Sequence, residues 1–278
     1  MMIQTARSDD RRFISTMLEH LDLCHQFVLA FGNDEFEDPV PYEEFIYTVK
    51  NHDRGWDDFD RKPVLDNKSG FPCGLGSGPV PGVVTTSKLS PDFNESEHDY
   101  CGLLSSMHSW GLYNERYGYS QFRVLEGGKS VPVPPGQEDN VKGLLDGELE
   151  RQGQLKEKLA SNSHTRDWVD EKNLTRNYTL LQFFDTLALY FNMRHSGEHK
   201  EEIFVHVPQT VDKDVEVLVR PLGNNQYQFM PFPFKNNEFV VHLSGRYFRA
   251  LSPASAPEDL GAFLYGLPTE QQSFTFVN

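Results

Sequence analysis

The stretch from Leu174 to Met193 constrains this chain more than any other. It carries Leu181, Phe184, Leu187, Ala188 and Phe191, with apolar and aromatic residues all round a helical projection. Such a helix has no face suited to water, so other elements must wrap it and it must sit centrally. Within it, in LLQFFDTLALYF, stands one carboxylate, Asp185. A lone buried carboxylate is costly to desolvate, so Asp185 needs a cation, a base or several donors. Gln182, one turn earlier, is placed to line the same face.

The rest of the chain divides by pattern. Phe13, Met17, Leu21, Cys24 and Val28 recur at three- and four-residue steps and predict a helix over 9–31. Ser8 or Asp9 would cap its start and Gly32-Asn33 would end it. Tyr42 to Lys50 predicts a second helix, with Phe45, Ile46 and Val49 inward, stopping at Asn51-His52-Asp53. Residues 60–99, with GFPCGLGSGPVPG, are rich in Gly, Pro, Asp and Ser and predict a long loop, a candidate lid. Tyr100 to Tyr117 reads as a third helix, 120–139 as irregular, and 140–161 as a polar helix with exposed charge pairs.

After His195 the period changes. IFVHV, VEVLVRP, YQFMPF, FVVHL and RYFRAL are short β-type runs separated by Asp-Lys-Asp, Gly-Asn-Asn, Lys-Asn-Asn and Ser-Gly. They predict an antiparallel sheet of hairpins. The expected fold is α+β in a single domain over 1–278. Its helical core, 1–195, would hold the site and the loop at 60–99, and a β-rich antiparallel part, 196–278, would pack on it.

Charge and composition exclude some classes. A net charge of -15 without a concentrated basic patch speaks against nucleic acid. No apolar run is long enough to span a bilayer, so no membrane is expected. The segment MMIQTARSDDRRF has charges where a signal peptide needs an apolar stretch, which predicts a cytoplasmic protein. Cys24, Cys73 and Cys101 are too few and too irregular for a disulfide framework or a zinc knuckle, and read as free thiols. The partner expected is a small molecule.

The residues suited to chemistry centre on His52-Asp53. Adjacent imidazole and carboxylate can share one divalent cation, and that donor mixture suits zinc, manganese or iron, with magnesium also considered. Gly55 would permit a tight turn after the pair, and Trp56 a bulky wall. His20 on the first helix, His108 in SSMHSWGLY and Asp185 are the further candidates. The ordering His, His-Asp, His and a late helical Asp resembles the HD-domain superfamily. More narrowly, HLDLCHQFVLAFGN, NHDRGWDDF, SSMHSWGLY, LLQFFDTLALYF and PFPFKNNEFVVHLSGRYF resemble the uncharacterised domain of unknown function 3891 family.

The HD resemblance implies a mainly helical, HD-like bundle binding one or two metals. It puts His20 at the first ligand position, with His25 as its rival, then His52 and Asp53, His108, and Asp185. Trp56 departs from the pattern, because many HD hydrolases carry there a Lys that helps hold a phosphate. The expected activity is therefore metal-dependent hydrolysis by an activated water, at a phosphoester or another polarised centre, with Asp53 catalytic. Arg54 or Arg116 would neutralise an anionic group. Two rivals stand beside it: a di-iron oxygenase of HD type, and a non-enzymatic ligand-binding module. EGGKS at 126–130 lacks the first Gly of a phosphate loop, and GLGSG lacks a following helix, so neither predicts a nucleotide site.

Overall fold

In the computed structural model, residues 1–5, 10–75, 80–114, 133 and 135–278 are described. The first helix, α1, runs Met17–Ala30, not from residue 9. Thr16 caps it in a capping box with Glu19. Phe13 and Ile14 continue the apolar spacing, but they lie in a strand, β2 (Arg11–Ser15), opposite Tyr247 and Arg246. Strand β1 (Met2–Ile3) pairs with β2. Helix α2 (Tyr42–Asn51) falls where its pattern predicts and is followed by a 3-10 turn (Arg54–Trp56) and α3 (Asp57–Arg61).

The loop expected over 60–99 is found over 62–75 and is corrected over Val80–Glu97 by α4, which contains Pro91 and packs on α5 (Asp99–Tyr113). Thr86, Ser87, Ser90 and Asn94 form its buried stripe, facing a helix whose buried face holds Ser105, Ser106 and Ser109. Small polar residues that bond across a tight helix pair hide the period that apolar residues would display. Helix α6 (Glu138–Ser161) covers α5, and the central helix α7 (Glu171–Asn192) is buried continuously from Leu180 to Asn192.

The strands that follow are β3 (Glu202–Thr210), β4 (Lys213–Gly223), β5 (Gln226–Met230) and β6 (Glu238–Arg249). Then come a short helix α8 (Leu260–Tyr265) and a last strand β7 (Glu270–Val277). Among the described residues the strands form one seven-stranded sheet in the order β1-β2-β6-β7-β5-β4-β3. The sheet is mixed, because β5 and β7 are parallel. FVVHL and RYFRAL fall on one strand, not two: β6 runs on through Ser244-Gly245, and the missing Cβ at Gly245 leaves room for the Phe13 ring, which a Cβ would approach to 2.4 Å.

The expectation of a mainly helical HD-like bundle with an antiparallel C-terminal part is therefore corrected. The sheet runs through both ends of the chain, and α1 and α7 pack on it. Phe27, Phe184 and Phe191 meet Phe234, Phe274 and Phe276 in one core. Each fully buried Phe contributes about 1.5–3 kcal/mol of transfer free energy. No helix among the described residues is long and apolar enough to cross a membrane.

Candidate metal centre

Four helices deliver the candidate ligands. His20 stands on α1, His52 closes α2 with Asp53 next to it, His108 is on α5 and Asp185 on α7. Their polar atoms converge. His20 Nε2 lies 3.0 Å from Asp185 Oδ1. His52 Nε2 lies 3.7 Å from the same oxygen and 3.9 Å from Asp53 Oδ2. His108 Nε2 lies 3.8 Å from Asp53 Oδ1 and 4.0 Å from Asp185 Oδ2. Nitrogen and oxygen donors bound to one ion at about 2.1 Å stand roughly 3.0–4.2 Å apart, from adjacent to opposite positions. All of these separations fall in that window.

Backbone contacts hold the His52-Asp53 corner in place. The end of α2 leaves carbonyls without helical partners. Asn94 on α4 donates to the Asn51 carbonyl at 2.8 Å, and Ser105 on α5 donates to the His52 carbonyl at 3.3 Å. The Gly55 N–H donates to Ser90 Oγ at 3.0 Å, and a Cβ on Gly55 would lie 2.4 Å from the Thr86 carbonyl. Gly55 thus serves close approach to α4. Trp56 is a buried anchor, packed with Met2, Met17, Leu21 and Leu189.

The ring orientations say what the cluster needs. His52 Nδ1 donates to the Val49 carbonyl at 2.8 Å, and a carbonyl can only accept. His20 Nδ1 donates to Asn192 Oδ1 at 2.7 Å, while the Asn192 amide nitrogen donates to Ser15. Each neutral ring therefore turns its Nε2 lone pair toward Asp185, and the His20 lone pair also faces the Cys24 thiol at 3.5 Å. Two lone pairs facing a buried carboxylate require positive charge between them. Metal-binding histidines are held in this way, with the second ring N–H on a carbonyl or amide oxygen.

Protonation is the other source of that charge. Burial pulls the His52 imidazole down, but Asp185 and Asp53 outweigh it and raise the group to about 9. Burial and the neighbouring His52 charge push His108 below its ordinary value. Burial opposes ionisation of Asp185, yet His20 and His52 hold it well below the usual carboxylate range. The side chains of His20, His52, His108 and Asp185 are almost fully buried, whereas Asp53 is 13% exposed. Solvent therefore meets the cluster at Asp53.

Sequence reasoning passed over three contributors. Cys24 Sγ lies 3.5 Å from His20 Nε2, and burial, then Asp185 and Asp53, push its thiol well above the ordinary value. Its i+4 spacing from His20 was the available signal. Asn192 lies on α7 two turns beyond Asp185, and nothing in its local sequence marks it. Asn94 sits in the segment read as loop. Gln182 is buried, and neither amide atom has a hydrogen-bond partner among the described residues.

Other expected residues lie elsewhere. Arg54 is 35% exposed, pairs with Asp57 at 3.6 Å and covers the Phe93 ring, so it is turned to α3 and α4. Arg116 lies outside the described residues. His25, the rival of His20, is only partly buried, and burial and then Lys50 lower it against the opposing charge of Asp22. A surface concavity lined by Asp92, Glu95, Glu150 and Arg151 contains none of the cluster.

No curated protein and no solved structure matches this chain. Neither comparison carries the HD-domain resemblance. Residues 2–250 match a family described as protein of unknown function (DUF3891). With that match over nearly its whole length, the chain belongs to the DUF3891 family.

Proposed function

We propose that this protein is a metal-dependent hydrolase whose divalent ion is held by His52, Asp53, His108 and Asp185, with His20 beside them. One observation carries the reading: His20 and His52 are tethered through Nδ1, so that both Nε2 atoms converge on Asp185. A divalent ion at such a site supplies a Lewis acid and lowers the pKa of a bound water toward neutrality. The residues do the rest. Asp185, deep and charged, balances the cation. The Val49 carbonyl and Asn192 keep the two rings in the tautomer that leaves Nε2 free. Asp53 is the carboxylate that solvent reaches, so it is the group placed to take a proton from an incoming water.

The electrophile is a polarised centre on a small molecule. Arg54 is turned to Asp57, which favours an uncharged ester or amide over a phosphoester. Elemental analysis of the purified protein beside a folded His52→Ala/Asp53→Ala variant tests the centre. Metal in the parent and a lower metal content in the variant are expected. Hydrolysis of chromogenic carboxylate and phosphate esters, lost in the same variant, tests the activity. No bound metal in the parent after incubation with zinc, manganese or iron would refute the reading. Iron with an oxygen-sensitive optical signal, and no ester hydrolysis, would replace hydrolysis by an oxygenase.

A further inference from the structure

We propose that His20, Cys24 and Asp185 form a second metal position beside the one at His52, Asp53 and His108, with Asp185 shared between them. This rests on the metal reading above and adds a thiolate ligand to it. Cys24 follows His20 by four residues on α1, so both side chains leave the same face of the helix. Its sulfur lies 3.5 Å from His20 Nε2, and that nitrogen lies 3.0 Å from Asp185 Oδ1. In a tetrahedral site with bonds of about 2.3 Å to sulfur and 2.05 Å to nitrogen, the two donors stand roughly 3.5 Å apart.

The two triads are separate but adjoining. The donor atoms of His20, Cys24 and Asp185 lie within 4.8 Å of one another, and so do those of His52, Asp53 and His108. Asp185 turns Oδ1 to His20 and His52 and Oδ2 toward His108, so one carboxylate reaches both. Cys101 offers a contrast: it is buried too, but it donates to the Glu44 carbonyl at 3.4 Å, an ordinary helix-packing contact.

The ligand chemistry names the class of ion. One sulfur, one nitrogen and one oxygen leave a fourth tetrahedral position open, the arrangement of catalytic rather than structural zinc sites. A thiolate favours zinc, iron(II) or cobalt(II) and disfavours magnesium, which takes oxygen ligands in octahedral array. Binding forms a metal–sulfur bond and breaks the S–H bond, and the proton leaves to solvent.

Cobalt(II) is the probe, added to the reduced, chelator-stripped full chain, with bound metal counted by equilibrium dialysis and the absorption spectrum recorded. The parent is expected to bind two equivalents and to show an intense near-ultraviolet sulfur-to-cobalt band. Cys24→Ser should lose that band and one equivalent. The His52→Ala/Asp53→Ala variant should keep the band and lose the other equivalent. A Cys73→Ser/Cys101→Ser variant should keep the band, which assigns it to Cys24 even if Cys24→Ser does not fold. Cobalt binding by the parent without a sulfur band, or a band that survives Cys24→Ser, overturns the thiolate position and leaves the hydrolase reading standing. A parent that binds no cobalt, zinc, manganese or iron overturns both.

Discussion

Acidification from pH 7 to pH 5 is expected to weaken this protein by about 2 kcal/mol through His199 alone. His199 follows α7 and stacks on Tyr190, with ring centroids 4.6 Å apart. Its Nε2–H donates to the Arg194 carbonyl at 3.1 Å, so Nδ1 carries the lone pair and accepts from the Tyr227 hydroxyl. The ring is thus built into its surroundings in the neutral form. Burial pushes it from 6.5 down to about 4, against the Arg194 carbonyl, which favours the charged form.

The direction follows from proton counting. Between these two values the unfolded chain binds a proton at this ring and the folded chain does not. Stability is therefore fully present above the unfolded value and falls as pH drops toward the folded one. At pH 5 the gap from the unfolded value is 1.5 pKa units, and at about 1.36 kcal/mol per unit that is about 2 kcal/mol.

Urea unfolding at pH 7 and pH 5, for the parent and for His199→Phe, isolates this contribution. All other titrating groups are common to both proteins and cancel in the comparison. His199→Phe starts lower at pH 7, by about 1–3 kcal/mol, because the Arg194 carbonyl and Tyr227 hydroxyl lose their partner. Its further loss on acidification should be smaller than the parent's by about 2 kcal/mol. Equal losses in the two proteins would refute the reasoning, since His199 would then be protonated in the folded state at pH 5.

Asn192→Leu removes the acceptor that orients His20 and should lower metal affinity about 10–100-fold, measured by chelator competition, with the fold intact by circular dichroism. Gly55→Ala forces a methyl against the Thr86 carbonyl and should cost about 1–3 kcal/mol in urea unfolding while weakening metal binding through displacement of Asp53. Thr16→Ala breaks the capping box of α1 and should cost about 0.5–2 kcal/mol with metal stoichiometry unchanged by elemental analysis.

Some of this protein was legible residue by residue. Leu174–Met193 announced a central helix, because a segment apolar on every side can only be buried, and α7 is buried continuously from Leu180 onward. Asp185 stood out for the same reason, as a charge that such a helix cannot hold without a partner. His52-Asp53 was visible because adjacency in sequence forces adjacency in space, and α2 ended where its apolar period ended.

Other features belong to tertiary structure alone. Helix α4 buries Thr86, Ser87, Ser90 and Asn94, and a polar stripe gives no hydrophobic period until α5 is there to bond with it. Residues 11–15 extend the spacing of a helix, yet they form a strand because β6 offers them an edge. The parallel pairing of β5 with β7 joins segments separated by a helix and another strand, which no local pattern encodes. Cys24 and Asn192 look like ordinary helical residues until α1 and α7 are packed together. Local period reports which face of an element avoids water. Which polar atoms meet inside is decided by the packing of elements far apart in the chain, and here that packing carries imidazoles from α1, α2 and α5 to the carboxylate on α7.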